Sequence, residues 1–346
     1  MMKKVKINDG GARMRRLLLL LAIMLPAVLR VSAQRVETLT SPDGKVRIEV
    51  AVGERLTYSA FYGSEPILKD CPLSLQIGKE VFGTKPKLKS TQRIKIDETI
   101  RPVVPLKFAE VPNKANQLRL TFKGGITVDF RAYNNGVAYR FGINKGKGKV
   151  DVVDEGVTLN LPDVFTAHVS KTSNFTTNYE NPYTHVSTAD YKAGDAMTYL
   201  PILLESPKGT LVLISESDVR DYPHLFLQPT DENGFTSTFP KSPEAWKPRG
   251  DRSWTITKEH DFIARTDGQR TLPWRFAVIG DEATIVNMYN GGHAIDDIWA
   301  VSGFKSRSSI FRILRKYGIT LNRGPHSGPI KKWNERKNPI IKEDKQ

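Results

Sequence analysis

From about residue 35 onward, apolar and polar residues alternate with a period of two, the pattern of half-buried β-strands. Val46, Ile48, Val50 and Val52 share one face of a segment opened by the turn Ser41-Pro42-Asp43-Gly44. Leu118, Leu120 and Phe122 alternate with Arg119 and Thr121, and Ile126, Val128 and Phe130 alternate with Thr127 and Asp129. Asn134-Asn135-Gly136, residues tolerant of positive φ, then predict a hairpin into Val137, Tyr139, Phe141 and Ile143. Further strands are predicted at 153–161, 199–204, 210–215 and 271–279, separated by segments rich in Pro, Gly, Asn and Asp. No helical stretch of comparable quality competes with them. The pattern predicts an all-β fold, a large antiparallel sandwich.

Three segments break the alternation. Residues 165–195 form a long run of Thr, Ser, Asn, Tyr and His with weak periodicity, which reads as a functional loop. Residues 284–346 lose the strand pattern and end as an irregular basic tail, in which 308–317 reads as a short cationic helix with Ile310, Phe311, Ile313 and Leu314 opposite Arg312, Arg315 and Lys316. At the other end Lys3, Lys4, Lys6, Arg13, Arg15 and Arg16 precede the apolar run 17–25 and then Val31-Ser32-Ala33, the order of a secretory signal over residues 1–33. That run is too short to span a hydrocarbon core about 30 Å thick, so no transmembrane span is expected. Met14 before Arg15-Arg16 is an equally good start. The expected destination is outside the cytoplasm, secreted or periplasmic, with a body of 34–283 between signal and tail.

The net charge of +15 would suggest an anionic partner, but the excess Lys and Arg sit at the two ends and the body is close to neutral. Without a basic stripe interleaved with aromatics in that body, nucleic acid is not expected as a partner. The single cysteine, Cys71, leaves no intrachain disulfide to help an exported domain, and it reads as a small buried apolar residue. The six histidines show no zinc-ligand spacing, and neither a G-x-S-x-G elbow nor a P-loop nor a G-x-G-x-x-G turn is present. Trp246, Trp254 and Trp274 suit either sugar stacking or core packing, core packing being the commoner fate.

Five segments in order, SPDGKVRIEV (41–50), RAYNNGVAYRF (131–141), SNFTTNYENPYTH (173–185), LVLISESDVRDYP (211–223) and LPWRFAVIG (272–280), resemble the N-terminal domain of glycoside hydrolase family 97, whose members include α-glucosidases and α-galactosidases. The resemblance implies a β-super-sandwich of the galactose-mutarotase type, which in complete members packs on a (β/α)₈ barrel that carries the catalytic carboxylates. It also implies a role for Glu180. In calcium-dependent members the N-terminal domain supplies one Glu ligand to that ion, and Glu180, in Tyr179-Glu180-Asn181-Pro182-Tyr183, stands in the matching place. One carboxylate gives at most two of the roughly six to eight oxygens Ca²⁺ takes, so calcium is expected only where the barrel is present.

Tyr179, Tyr183, Glu216 and Asp218 are the further candidates for carbohydrate or interdomain contact. Two acids at i and i+2 of a strand share a face, and glycoside hydrolysis needs two positioned carboxyls, but the family does not place its catalytic pair here. About 65 residues follow the Pro-Trp-Arg strand, too few for a barrel of well over two hundred, which raises the expectation of a truncated or out-of-frame end. The expected function is therefore a carbohydrate-binding accessory sandwich of the α-glucoside or α-galactoside class, inactive by itself. A stand-alone secreted binding or interaction domain is the alternative. The face that would meet a barrel, left bare, would favour self-association.

Overall fold

The computed structural model describes residues 34–101, 109–250 and 253–285. The chain divides into two units, 1–35 and 36–346; only Gln34 and Arg35 of the first are described, and the fold below is that of the second. The expected signal, the cationic helix at 308–317 and nearly all of the tail lie outside the described residues.

Nineteen strands lie among the described residues: β1 (Arg35–Thr40), β2 (Val46–Val52), β3 (Leu56–Tyr62), β4 (Glu65–Ile77), β5 (Glu80–Phe82), β6 (Leu88–Ile100), β7 (Val111–Phe122), β8 (Ile126–Tyr133), β9 (Gly136–Asn160), β10 (Thr166–Thr172), β11 (Tyr183–Ser187), β12 (Met197–Glu205), β13 (Leu211–Ser217), β14 (Phe226–Thr230), β15 (Gly234–Thr238), β16 (Pro243–Arg249), β17 (Ser253–Glu259), β18 (Ala264–Thr271) and β19 (Trp274–Gly280). One antiparallel layer runs β6, β7, β8, the first half of β9, β19, β13, β12, β10, β11. The other runs β2, β3, β4 and the second half of β9, which β15 and β18 flank on its far side. Strand β14 links β15 back to the start of β12. This is the large antiparallel β-super-sandwich that the resemblance implies.

Strand β9 ties the layers together because it bends midway. Gly146 and Gly148, with φ of 90° and 107°, sit where its pairing with β18 slips between Asp267 and Gln269. Between the layers lies the main core, to which Ile48, Val128, Phe141, Val157, Ile214 and Phe235 contribute from five strands, β9 supplying two of them. Each such large side chain, once out of water, stabilises the fold by about 1.5–3 kcal/mol. A smaller cluster, with Tyr133, Leu213, Trp274, Phe276, Val278 and Ile285, covers the opposite face of the first layer. After β19 a helical turn begins at Asp281, whose Oδ1 accepts from the backbone N of Thr284 at 2.8 Å.

The structure differs from the sequence reading at four places. The Asn134-Asn135-Gly136 hairpin forms, but none of the three residues has positive φ. Gly136 is required by space: a Cβ there would lie 2.3 Å from the carbonyl oxygen of Ala277 on β19. The supposed strand at 271–279 breaks at Leu272-Pro273, where proline has no N–H for a ladder. Within the supposed loop at 165–195, β10 and β11 pair from Thr166↔Ser187 to Ser170↔Tyr183. Their alternation is hidden because His168, Ser170 and Thr172 are buried as well as Ala167 and Val169. Of the three tryptophans only Trp274 is buried; Trp246 and Trp254, 56% and 60% exposed, lie on the β16–β17 hairpin, a separate two-stranded sheet.

Candidate functional site

The segment between β10 and β11 carries Tyr179 and Glu180. Asn181 anchors it: its Nδ2 donates to the Lys171 carbonyl at 2.6 Å, its backbone N donates to the Tyr199 hydroxyl at 2.9 Å, and its carbonyl accepts from Ser170 Oγ at 3.1 Å. Tyr179 adopts φ 58°, the left-handed region, at a cost of about 1 kcal/mol or more for a residue of its size. Its ring packs inward, 4.9 Å from Tyr199, 6.1 Å from Phe226 and 6.3 Å from His224. Burial, then the charge of Glu216, then Tyr199, raise the Tyr179 hydroxyl above its ordinary pKa. The next residue, Glu180, is exposed and lines a cavity of about 550 Å³ together with Lys171, Asn174, Thr176, Asn178 and Asn181. Amides, hydroxyls and one carboxylate suit hydrogen bonding to a polyhydroxylated ligand.

Beneath Tyr179 lies a buried ion network that the sequence did not reveal. Arg275 on β19 donates from Nε and Nη2 to Glu155 of β9 at 2.9 and 2.8 Å, and from Nη1 to Glu216 of β13. All three residues are 3% exposed or less. Tyr222 donates to Glu155 Oε2 at 2.8 Å, the backbone N of Leu225 donates to both oxygens of Glu216 at 3.1 and 3.2 Å, and His224 Nδ1 stands 3.0 Å from Glu216 Oε1. Burial pulls the Arg275 pKa down, but Glu155 and Glu216 outweigh it and hold the guanidinium well above its ordinary value. The network thus reaches from the core through His224 to the Tyr179 ring.

The other candidates are scattered. Glu216 points into the core, while Asp218, past the end of β13 with φ 58°, is part-exposed and pairs with Arg220 at 3.2 Å. The i, i+2 geometry that would have put both acids on one face is broken by that backbone reversal. Tyr183, at the start of β11, donates to the Pro201 carbonyl at 3.2 Å and packs on the outer cluster. Trp274, on the same outer face, has the guanidinium carbons of Arg131 and Arg140 at 4.6 and 4.3 Å from its ring.

The chain as a whole is similar to known proteins. The profile of the glycosyl-hydrolase 97 N-terminal domain matches residues 39–289. The chain belongs to this family. It is 35% identical over 279 residues to a retaining alpha-galactosidase of Bacteroides thetaiotaomicron, covering 77% of this chain and 42% of that protein. The family 97 domain therefore spans less than half the length of that relative. Among solved structures, a glycoside hydrolase family 97 enzyme of Pseudoalteromonas sp. strain K8 in complex with acarbose matches with a TM-score of 0.60 at 19% identity, covering 74% of this chain and 37% of the other. A beta-arabinopyranosidase matches with a TM-score of 0.61 at 22% identity, covering 73% and 42%. These two establish the likeness of fold.

The residues of the family 97 domain do not by themselves fit a calcium ion. Glu180 is the one carboxylate lining its cavity, Lys171 shares that cavity, and no group of three or more His, Cys, Asp or Glu side chains among the described residues is placed to hold a metal.

Proposed function

We propose that this domain is the accessory β-sandwich of a family 97 glycoside hydrolase of the α-galactoside or α-glucoside class, and that it binds and positions carbohydrate at Glu180 without cleaving it. The observation that carries the reading is the polar cavity beside the Asn181-anchored loop, with Glu180 exposed at its wall. Cleavage by this domain is disfavoured by where its other carboxylates lie. Glu155 and Glu216 are sealed in the core against Arg275, out of reach of a sugar, and Asp218 is paired with Arg220. The 35% identity to a retaining alpha-galactosidase supports the substrate class.

The order of charge, apolar run and small residues in 1–33 supports export to the periplasm or beyond. Among the described residues no helix is long and apolar enough to cross a membrane. Calcium enters this proposal only with a catalytic domain that completes its shell around Glu180, and an uncovered docking face would make the isolated domain prone to self-association.

Calorimetric titration of the full chain with raffinose and maltotriose, without added calcium, tests the reading. Saturable binding of one of them, weakened about tenfold in Glu180→Gln, is expected, since a hydrogen bond to a charged group is worth about 1.5–3 kcal/mol. Absence of binding to both sugars, or equal binding by the variant, overturns it.

A further inference from the structure

A second cavity, of about 730 Å³, lies apart from the Glu180 site, where the Lys123-Gly124-Gly125 turn between β7 and β8 meets β9 and the end of β18. Its lining includes four cationic side chains, Lys89, Arg119, Lys123 and Arg270, and no carboxylate. Arg119 is neutralised by Asp129, to which it donates at 2.6 and 2.8 Å. Arg270 donates to neutral acceptors, the Thr271 carbonyl at 2.9 Å, Thr266 Oγ1 at 2.7 Å and the Arg220 carbonyl at 3.0 Å, which hold its charge in place, and the carboxylate that feels that charge, Asp267, is ion-paired with Lys149 at 2.8 Å. Lys89 and Lys123 are exposed, and the hydrogen bonds and ion pairs of the described residues involve neither ammonium group. In a body whose charges otherwise balance, this is a local excess of cations turned into one concavity.

The cavity is also kept open by its glycines. Gly142 lies within β9, where glycine weakens a strand, and its reason for being there is room: a Cβ would come 2.3 Å from Thr127 Oγ1, in the lining itself. Gly125, with φ 73°, would put a Cβ 2.1 Å from the Asn144 carbonyl. Thr121, Thr127, Thr271 and Asn144 add hydroxyl and amide groups between the cations. The aromatic residue in the lining, Phe122, is 2% exposed and offers no face for a nucleobase, and no exposed large apolar residue lies in the lining to meet an acyl chain.

We propose that this cavity binds an acidic oligosaccharide, its uronate carboxylates or sulfate esters meeting Lys89, Lys123 and Arg270 while the threonines and Asn144 meet its hydroxyls. The site is independent of Glu180 and does not rest on the function proposed above.

The full chain is titrated at low ionic strength with oligogalacturonate, with a heparin-type sulfated oligosaccharide and with maltotriose. Two charge-matched double variants are compared, Lys89→Glu/Lys123→Glu and Lys69→Glu/Lys208→Glu, the second pair being exposed lysines outside the cavity. Asn144→Asp, which adds one carboxylate to the lining, is a third. The expected result is saturable binding of at least one acidic probe, weakened about tenfold in Lys89→Glu/Lys123→Glu, weakened in Asn144→Asp, and nearly unchanged in the control pair, with all melting temperatures preserved. Maltotriose binding stays the same in every variant. The uronate and sulfate arms tell which oxyanion is preferred. Failure of both acidic probes to bind, or an equal loss in the control pair, which would mark nonspecific attraction to a basic chain, overturns the proposal.

Discussion

Arg275 is the side chain whose loss the sandwich should feel most. Replacing it by Met leaves two buried carboxylates facing each other without a counter-charge, and breaking a buried pair in this way costs about 3–5 kcal/mol. Urea unfolding of Arg275→Met should show that drop in the midpoint with little change in slope; a loss under about 1 kcal/mol would mean that the network contributes little. Cys71 gives a second prediction. Burial above all pushes its thiol up from 9.0 to about 12, although the Asn160 and Lys69 backbones pull the other way. A thiol harder to ionise when folded stabilises the fold fully below pH 9 and progressively less as pH rises from 9 towards 12, by about 4 kcal/mol in all. Stability measured between pH 8 and 11 should therefore fall less steeply in Cys71→Ala than in the wild type, and parallel curves would contradict this. The burial of Cys71 was legible in the sequence because a lone cysteine with no second cysteine to pair with and no histidine nearby in sequence most often serves as a small apolar residue. The network of Glu155, Glu216 and Arg275 was not, because its members are 59 to 120 residues apart. The available signal was a charge at an inward position of an apolar strand, as in Trp274-Arg275-Phe276-Ala277-Val278, and its partners cannot be named without the register of β9, β13 and β19.

At the scale of elements, the β10–β11 connection depends on a few hydrogen bonds more than on apolar packing. Tyr199→Phe removes the hydroxyl that accepts from the Asn181 backbone, worth about 1 kcal/mol, while keeping the ring against Tyr179. Amide exchange in residues 174–181 should quicken several-fold in that variant while β12 and β13 stay protected; unchanged exchange would show that the anchor lies elsewhere. Strands whose outer face meets water or a polar row, such as β2, β7 and β8, were legible as period-two runs. Strands β10 and β11 were not, since β10 buries both faces and fills one with His168, Ser170 and Thr172, and pattern alone reads that as loop. The β8–β9 hairpin was found for a partly mistaken reason: its glycine answers to the closeness of β19, a long-range fact, and not to the left-handed turn that its sequence suggests.

For the whole molecule, fold and chemistry lie on different scales of distance. The sandwich is specified by patterns spread over the seventeen strands of its main sheet system, and a resemblance in five short segments was enough to find its family. Sugar chemistry needs a few atoms within ångströms of one another, and the four acids considered for the site are dispersed: Glu180 exposed at a cavity, Glu155 and Glu216 locked in the core, and Asp218 paired with Arg220. The central claim is that this sandwich holds carbohydrate and does not cut it. Its most direct test is the rate at which purified 346-residue chain releases p-nitrophenol from p-nitrophenyl α-galactoside and α-glucoside. The account predicts no release above the uncatalysed background; turnover on the order of 1 per second, as for an ordinary enzyme, would contradict it.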